Sequence, residues 1–231
     1  MNLARKAIAE GVGTALLLTI VVGSGIMGER LANGNLAVAL LANSLATGAG
    51  LYVLIAMLAP ISGAHFNPIV SGVSSWQGQL PARVCVAYVL AQVLGAFVGV
   101  VVAHAMFGLP LLQMSAHLRP TTGEGLGEVI ATFGLVLVIL LLSRFRREAI
   151  PVAVAAFITS AYWFTSSTSF ANPAVTLARA ATNTFAGIAP NSVPLFIGGQ
   201  IIGGVAATLL ARWLLRDDRA AQRNPDRGQA R

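Results

Sequence analysis

Six apolar stretches of bilayer-crossing length dominate this chain, at about 8–28, 36–58, 84–106, 126–143, 149–164 and 193–215. Hydrocarbon satisfies no backbone N–H or C=O, so a segment inside it must be helical or part of a closed barrel. Runs of this length read as helices. Only 10% of the residues are charged and 56% are hydrophobic, against about 25% charged in a soluble domain. The chain is therefore an all-α integral membrane protein. Its fifth run is the shortest. The first run is long enough to span and has no convincing cleavage site, so it reads as a span and not as a leader.

The net charge of +7 could suggest a nucleic-acid partner, but its placement argues for topology. With the N-terminus inside, Arg5, Lys6, Arg83, Arg144, Arg146, Arg147, Arg212, Arg216, Arg219, Arg223, Arg227 and Arg231 fall on the inner side. Only Arg30, Arg119 and Arg179 fall outside. Twelve against three satisfies the positive-inside rule, with both termini cytoplasmic and the protein multi-pass in the plasma (inner) membrane. Residues 217–231 read as a polar, solvated tail, beside a single membrane domain over 1–216. Cys85 is the single cysteine, so an intrachain disulfide is excluded. His65, His104 and His117 are scattered, no metal-ligand spacing occurs, and no cofactor is expected.

The chain repeats itself. Glu10 and Thr14 in the first span match Glu128 and Thr132 in the fourth. Gln92 and Gly95 in the third match Gln200 and Gly203 in the sixth. The halves, about 1–110 and 120–216, each hold three spans, so the second enters the membrane inverted. Inverted repeats place a site near the midplane, where discontinuous helices meet.

Between these landmarks each half carries an Asn-Pro pair: Asn67-Pro68-Ile69 and Asn172-Pro173-Ala174. Asparagine is a strong helix N-cap and proline is best tolerated at the first helical position. Short helices are expected from Asn67 to about Trp76 and from Asn172 to about Ala181. Ten residues cover about 15 Å, half of the core, so each dips to the middle from its own side. Stretches 60–66 and 165–171 become non-helical backbone at membrane depth, with Pro60 helping to stop the second span. Such backbone must be buried in protein or line a wet cavity, where its carbonyls form a ladder of acceptors. Glu10 and Glu128 read as structural acids accepting N–H bonds from these loops; a proton relay is the alternative. Gly95/Gly99 and Gly199/Gly203 are small-xxx-small pairs for close helix crossing. His65 is expected to offer its backbone carbonyl to the path, its ring being the alternative.

At these residues the chain resembles the aquaporin family, the major intrinsic proteins, over about 10–215. The resemblance rests on SGAHFNP, ANPAV, the two ExxxT segments and the two glutamines. It implies six tilted helices with two re-entrant half-helices, one pore per subunit, usually four subunits, and passive flux of water or small neutral solutes. It implies a filter of Thr47, Ser160, Ser169 and Val175, set by distance from the asparagines. The family usually has arginine where this chain has Val175, and alanine where it has Ile69. Arg179 lies one turn beyond Val175, about 6 Å along the axis. The filter is thus expected to be wide, hydroxyl-lined and without arginine, similar to that of bacterial aquaglyceroporins linked to arsenic resistance. Ile69 is expected to pack where the half-helices abut.

The reading is a non-enzymatic channel for neutral solutes such as glycerol-like polyols and arsenite-type metalloid hydroxides, with membrane lipid around it, four like subunits together and no nucleic acid. A water-selective aquaporin is the alternative. A secondary transporter would need coupling carboxylates at a shared site, an intramembrane enzyme a catalytic base beside the serines, and a junction protein no conductance.

Overall fold

A computed structural model describes residues 1–216. Eight α-helices follow one another among them: α1 Leu3–Leu31, α2 Leu36–Ser62, α3 Pro68–Trp76, α4 Ala82–Met106, α5 Thr122–Phe145, α6 Ile150–Phe164, α7 Pro173–Arg179 and α8 Val193–Leu214. Helices α1, α2, α4, α5 and α8 are long and apolar enough to cross a membrane. Helix α6 has 15 residues, about 22 Å, and is preceded by a 3-10 turn at Arg147–Ala149. The polar tail at 217–231 lies outside the described residues.

The two halves repeat in packing as well as in sequence. Helix α1 pairs with α4 as α5 pairs with α8, and α2 meets α6 across the halves. Lipid offers no hydrophobic drive between helices, so close approach of small residues does the work. A Cβ on Gly95 would collide with the carbonyl oxygen of Gly11 on α1, and one on Gly203 with that of Val129 on α5. The matched glycines therefore let backbone touch backbone in both helix pairs.

Pro60 does not stop the second span. It sits inside α2, which runs on to Ser62 and ends at Gly63. Proline removes one helical hydrogen bond, but its φ suits a helix. Gly63 adopts φ 97° and its N–H bonds to Ala59 O at 3.0 Å, a left-handed cap that suits a residue without Cβ. The first loop is therefore Gly63–Phe66. Helix α3 runs to Trp76 behind its Asn67 cap. Helix α7 ends at Arg179, two residues sooner than expected, as Ala180 and Ala181 tighten into i→i+3 bonds.

Candidate functional site

The two non-helical loops are held by one device used twice. Glu10 of α1 accepts from His65 N (2.9 Å), Phe66 N (2.7 Å), Ser62 Oγ (2.6 Å) and Gln92 Nε2 (2.8 Å). Glu128 of α5 accepts from Phe170 N, Ala171 N (both 2.8 Å) and Gln200 Nε2 (2.6 Å). The glutamines also donate to a hydroxyl on the facing half-helix: Gln92 to Ser71 Oγ at 3.0 Å, Gln200 to Thr176 Oγ1 at 2.8 Å. Both acids are fully buried, and every recorded partner of their side-chain oxygens is a donor. Charge-assisted bonds of this kind are about twice as strong as neutral ones, enough to hold backbone in unfavourable torsions.

Those torsions are present and repeat. Ala64 and Phe66 have φ 50° and 49°; Ser169 and Ala171 have 52° and 49°. These are the positions three and one before each asparagine. Non-glycine residues in the left-handed region are strained and persist only where surroundings over-determine them. Phe66 is fixed further by its ring, which fills the space a Cβ on Gly13 would need.

The asparagines then lock the halves together. Asn67 Oδ1 accepts from Ile69 N at 2.9 Å, and Asn172 Oδ1 from Ala174 N at 3.0 Å, so each caps its own half-helix. Asn67 Nδ2 donates to Ala171 O, and Asn172 Nδ2 to Phe66 O, both at 2.7 Å. Each bond reaches the loop before the opposite asparagine. A side-chain amide has two N–H donors. Among the described residues one of each is used, leaving a second on each asparagine.

That junction lies on the wall of a cavity of about 190 Å³ lined from both halves. Asn67, Asn172, His65, Thr47, Ser169 and Val175 line it. The His65 ring is occupied by Ser71 Oγ at 3.0 Å and by the edge of Tyr88. The rest of the lining is largely apolar and includes Leu17, Leu51, Leu135 and Ile158.

Two placements differ from expectation. Ser160 is exposed, bonds back to Phe157 O at 2.8 Å, and does not line the cavity. Ile158 and Tyr162 of α6 line it instead. They are four residues apart and share a face, whereas Ser160 lies two from each, on the opposite side. Tyr162 donates to Thr47 Oγ1 at 3.3 Å, so an aromatic stands beside the hydroxyls and the lining is less open than four small residues would make it. Ile69, expected where the half-helices abut, is turned toward α5 and α8. It lies against Val73, Val136 and Ala207, and its Cγ2 fills the notch at Gly204 of α8.

The sequence reading missed Ser71, Thr176 and Tyr162. The first two carried a signal, since both are hydroxyl residues four after an asparagine, facing a matched glutamine. Arg179 also lines the cavity.

A sequence profile described as "Major intrinsic protein" matches residues 1–165. The chain belongs to the major intrinsic protein family. It is 53% identical over 218 residues to the aquaglyceroporin AqpS of Rhizobium meliloti (strain 1021), covering 94% of this chain and 93% of that protein. It is 30% identical over 247 residues to the probable aquaporin AqpM of Archaeoglobus fulgidus, covering 94% and 99%. In fold it matches the X-ray structure of the aquaglyceroporin from Plasmodium falciparum, with TM-score 0.73, 22% identity and coverage of 90% and 95%. This family member is a multi-pass membrane channel for small neutral solutes and not an enzyme.

Proposed function

We propose that the channel is a passive facilitator for compact polyhydroxylated neutral solutes: glycerol-like polyols and metalloid hydroxides such as arsenous acid. The observation that carries this reading is the pair of uncommitted amide N–H donors of Asn67 and Asn172 on a cavity otherwise lined largely by apolar side chains. A polyol presents hydroxyls on one side and C–H groups on the other. A few polar donors in a largely apolar lining match it without stranding a buried polar group. Thr47 and Ser169 add hydroxyl groups on this path, and Val175 leaves it uncharged at its own level. The kinship with an aquaglyceroporin over nearly the whole chain supports the same reading.

Water selectivity is the second reading, and Tyr162 favours it by narrowing the path beside Thr47. Stopped-flow light scattering on proteoliposomes separates the two. Glycerol uptake and arsenite entry above empty vesicles support the facilitator. Water flux with strict exclusion of both supports the water channel and overturns the facilitator. We further propose the bacterial inner membrane as the location, both termini cytoplasmic, and a homotetramer with one pore per subunit. The many leucines and valines exposed on the helix faces suit lipid and like subunits.

A further inference from the structure

Arg179 is the last residue of α7, one turn beyond Val175. Residues four apart share a helix face, and both line the cavity. Arg179 is only 2% exposed. Its guanidinium carbon stands 3.4 Å from the centroid of the Phe170 ring, and its Nε donates to Ala186 O. The loop that presents Ala186 is built for close quarters: a Cβ on Gly187 would collide with Thr182 O, and Ile188 N bonds back to Arg179 O at 3.2 Å.

The rest of the guanidinium is unspent. It offers five donors, and among the described residues neither Nη1 nor Nη2 has a protein acceptor. No carboxylate pairs with it either, since the ion pair recorded among those residues is Arg146–Glu148. Ser169 lines the same cavity, is 3% exposed, and its Oγ has no hydrogen-bond partner among them. A second cation reinforces the first. Arg119 stacks on the same Phe170 ring at 5.3 Å, anchored to Gly187 O and Ser167 O, both at 3.3 Å. The two guanidinium carbons can therefore be no farther apart than the sum of their distances to that ring.

A buried cation with free donors is costly unless something satisfies it. Stacking on Phe170 offsets part of that cost. The remaining donors belong to a residue that lines the cavity and have no acceptor among the described residues.

We infer that Arg179 is a solute-contacting specificity residue: with Ser169 it forms an acceptor-seeking site in this cavity for compact oxyacids and their monoanions. The positive charge absent at Val175 is restored one turn farther along α7, which leaves the level of Val175 uncharged for neutral hydroxylated solutes. Arg119 raises the local potential from behind Phe170, and small cations are turned away at the same place. The inference rests on the channel reading above, and its test is arranged to fail separately.

The test uses the full chain in proteoliposomes, with Arg179→Gln and Arg179→Lys beside the parent. Three probes are used: glycerol, methylammonium, and inorganic phosphate added outside as a blocker of glycerol flux. One charge at contact range in a partly wet site is worth about tenfold. In the parent, phosphate slows glycerol entry and methylammonium is excluded. Arg179→Lys keeps both properties, while Arg179→Gln loses the phosphate block and admits methylammonium about tenfold faster. Unchanged block and unchanged cation exclusion in Arg179→Gln, with glycerol flux intact, overturn the inference and leave the channel reading standing. A parent that carries no glycerol overturns the channel reading instead. Should Arg179→Gln fail to insert, modification of the parent by butanedione, an arginine reagent, decides. Peptide mass spectrometry should find Arg179 modified and protected by phosphate; an unmodified or unprotected Arg179 overturns the inference.

Discussion

Gly204→Ala should damage the protein through Ile69. A Cβ at position 204 would stand 2.6 Å from Ile69 Cγ2, against an optimum of about 3.5–4.0 Å between carbons. Ile69 cannot swing away easily. It is β-branched and helical, which fixes χ1, and it is packed against Val73, Val136 and Ala207. Relief requires α3 to shift, and α3 carries the Asn67 cap. Overpacking of this kind costs about 1–3 kcal/mol. Ile69→Ala alone removes buried methyl groups and costs about 2–3 kcal/mol. In the double variant the new methyl at 204 enters space that Ile69 has vacated. The two losses should fail to add by about 1–3 kcal/mol, the double being more stable than their sum. Thermal unfolding of the four proteins in one detergent measures this, at about 2–4 °C per kcal/mol for a chain of this size. Glycerol flux should fall in Gly204→Ala and recover in the double. Additivity within about 0.5 kcal/mol would refute the notch between α3 and α8.

Val175→Arg should lower glycerol flux at least tenfold, on the order of one lost solute contact plus lost width, while water flux persists; unchanged solute preference in stopped-flow assays would mean the residue does not bound the path. Tyr162→Ala should speed entry of polyols larger than glycerol, whereas Ser160→Ala should leave selectivity within about twofold, as exposed substitutions usually do; the opposite order would return Ser160 to the lining. Glu128→Gln keeps the shape but turns an amide donor toward Phe170 N–H, Ala171 N–H or the Gln200 amide. It should cost about 2–4 kcal/mol through stranded buried donors and remove most flux, and Glu10→Gln should do the same. A large difference between the two in unfolding temperature would break the equivalence of the repeats.

The structure shows which parts of this protein were legible in a line of letters. Span positions were, because apolar length is a one-dimensional property. So were the half-helix starts at Asn67 and Asn172, since a cap followed by proline needs no distant partner. Ser160 shows where that reasoning stops. Counting back from Asn172 crosses the irregular loop at 165–171, where φ reverses sign at three residues, and the helical phase of α6 is lost. Ile69 was recognised as unusual, but the glycine that accommodates it lies far along the chain at 204, with nothing local to connect them.

By itself the sequence determined a membrane-spanning, helical, inverted-repeat channel with two meeting helix starts. Hydrophobic length, capping chemistry and duplication are all written locally, and the bilayer leaves few alternatives. The tertiary structure decided which side chains face the solute. It joined each of Asn67 and Asn172 to the loop before the other across more than a hundred residues, rotated Tyr162 in and Ser160 out, and folded Arg179 over Phe170. Those outcomes depend on helix rotation and on contacts between distant segments, which spacing along the chain does not encode.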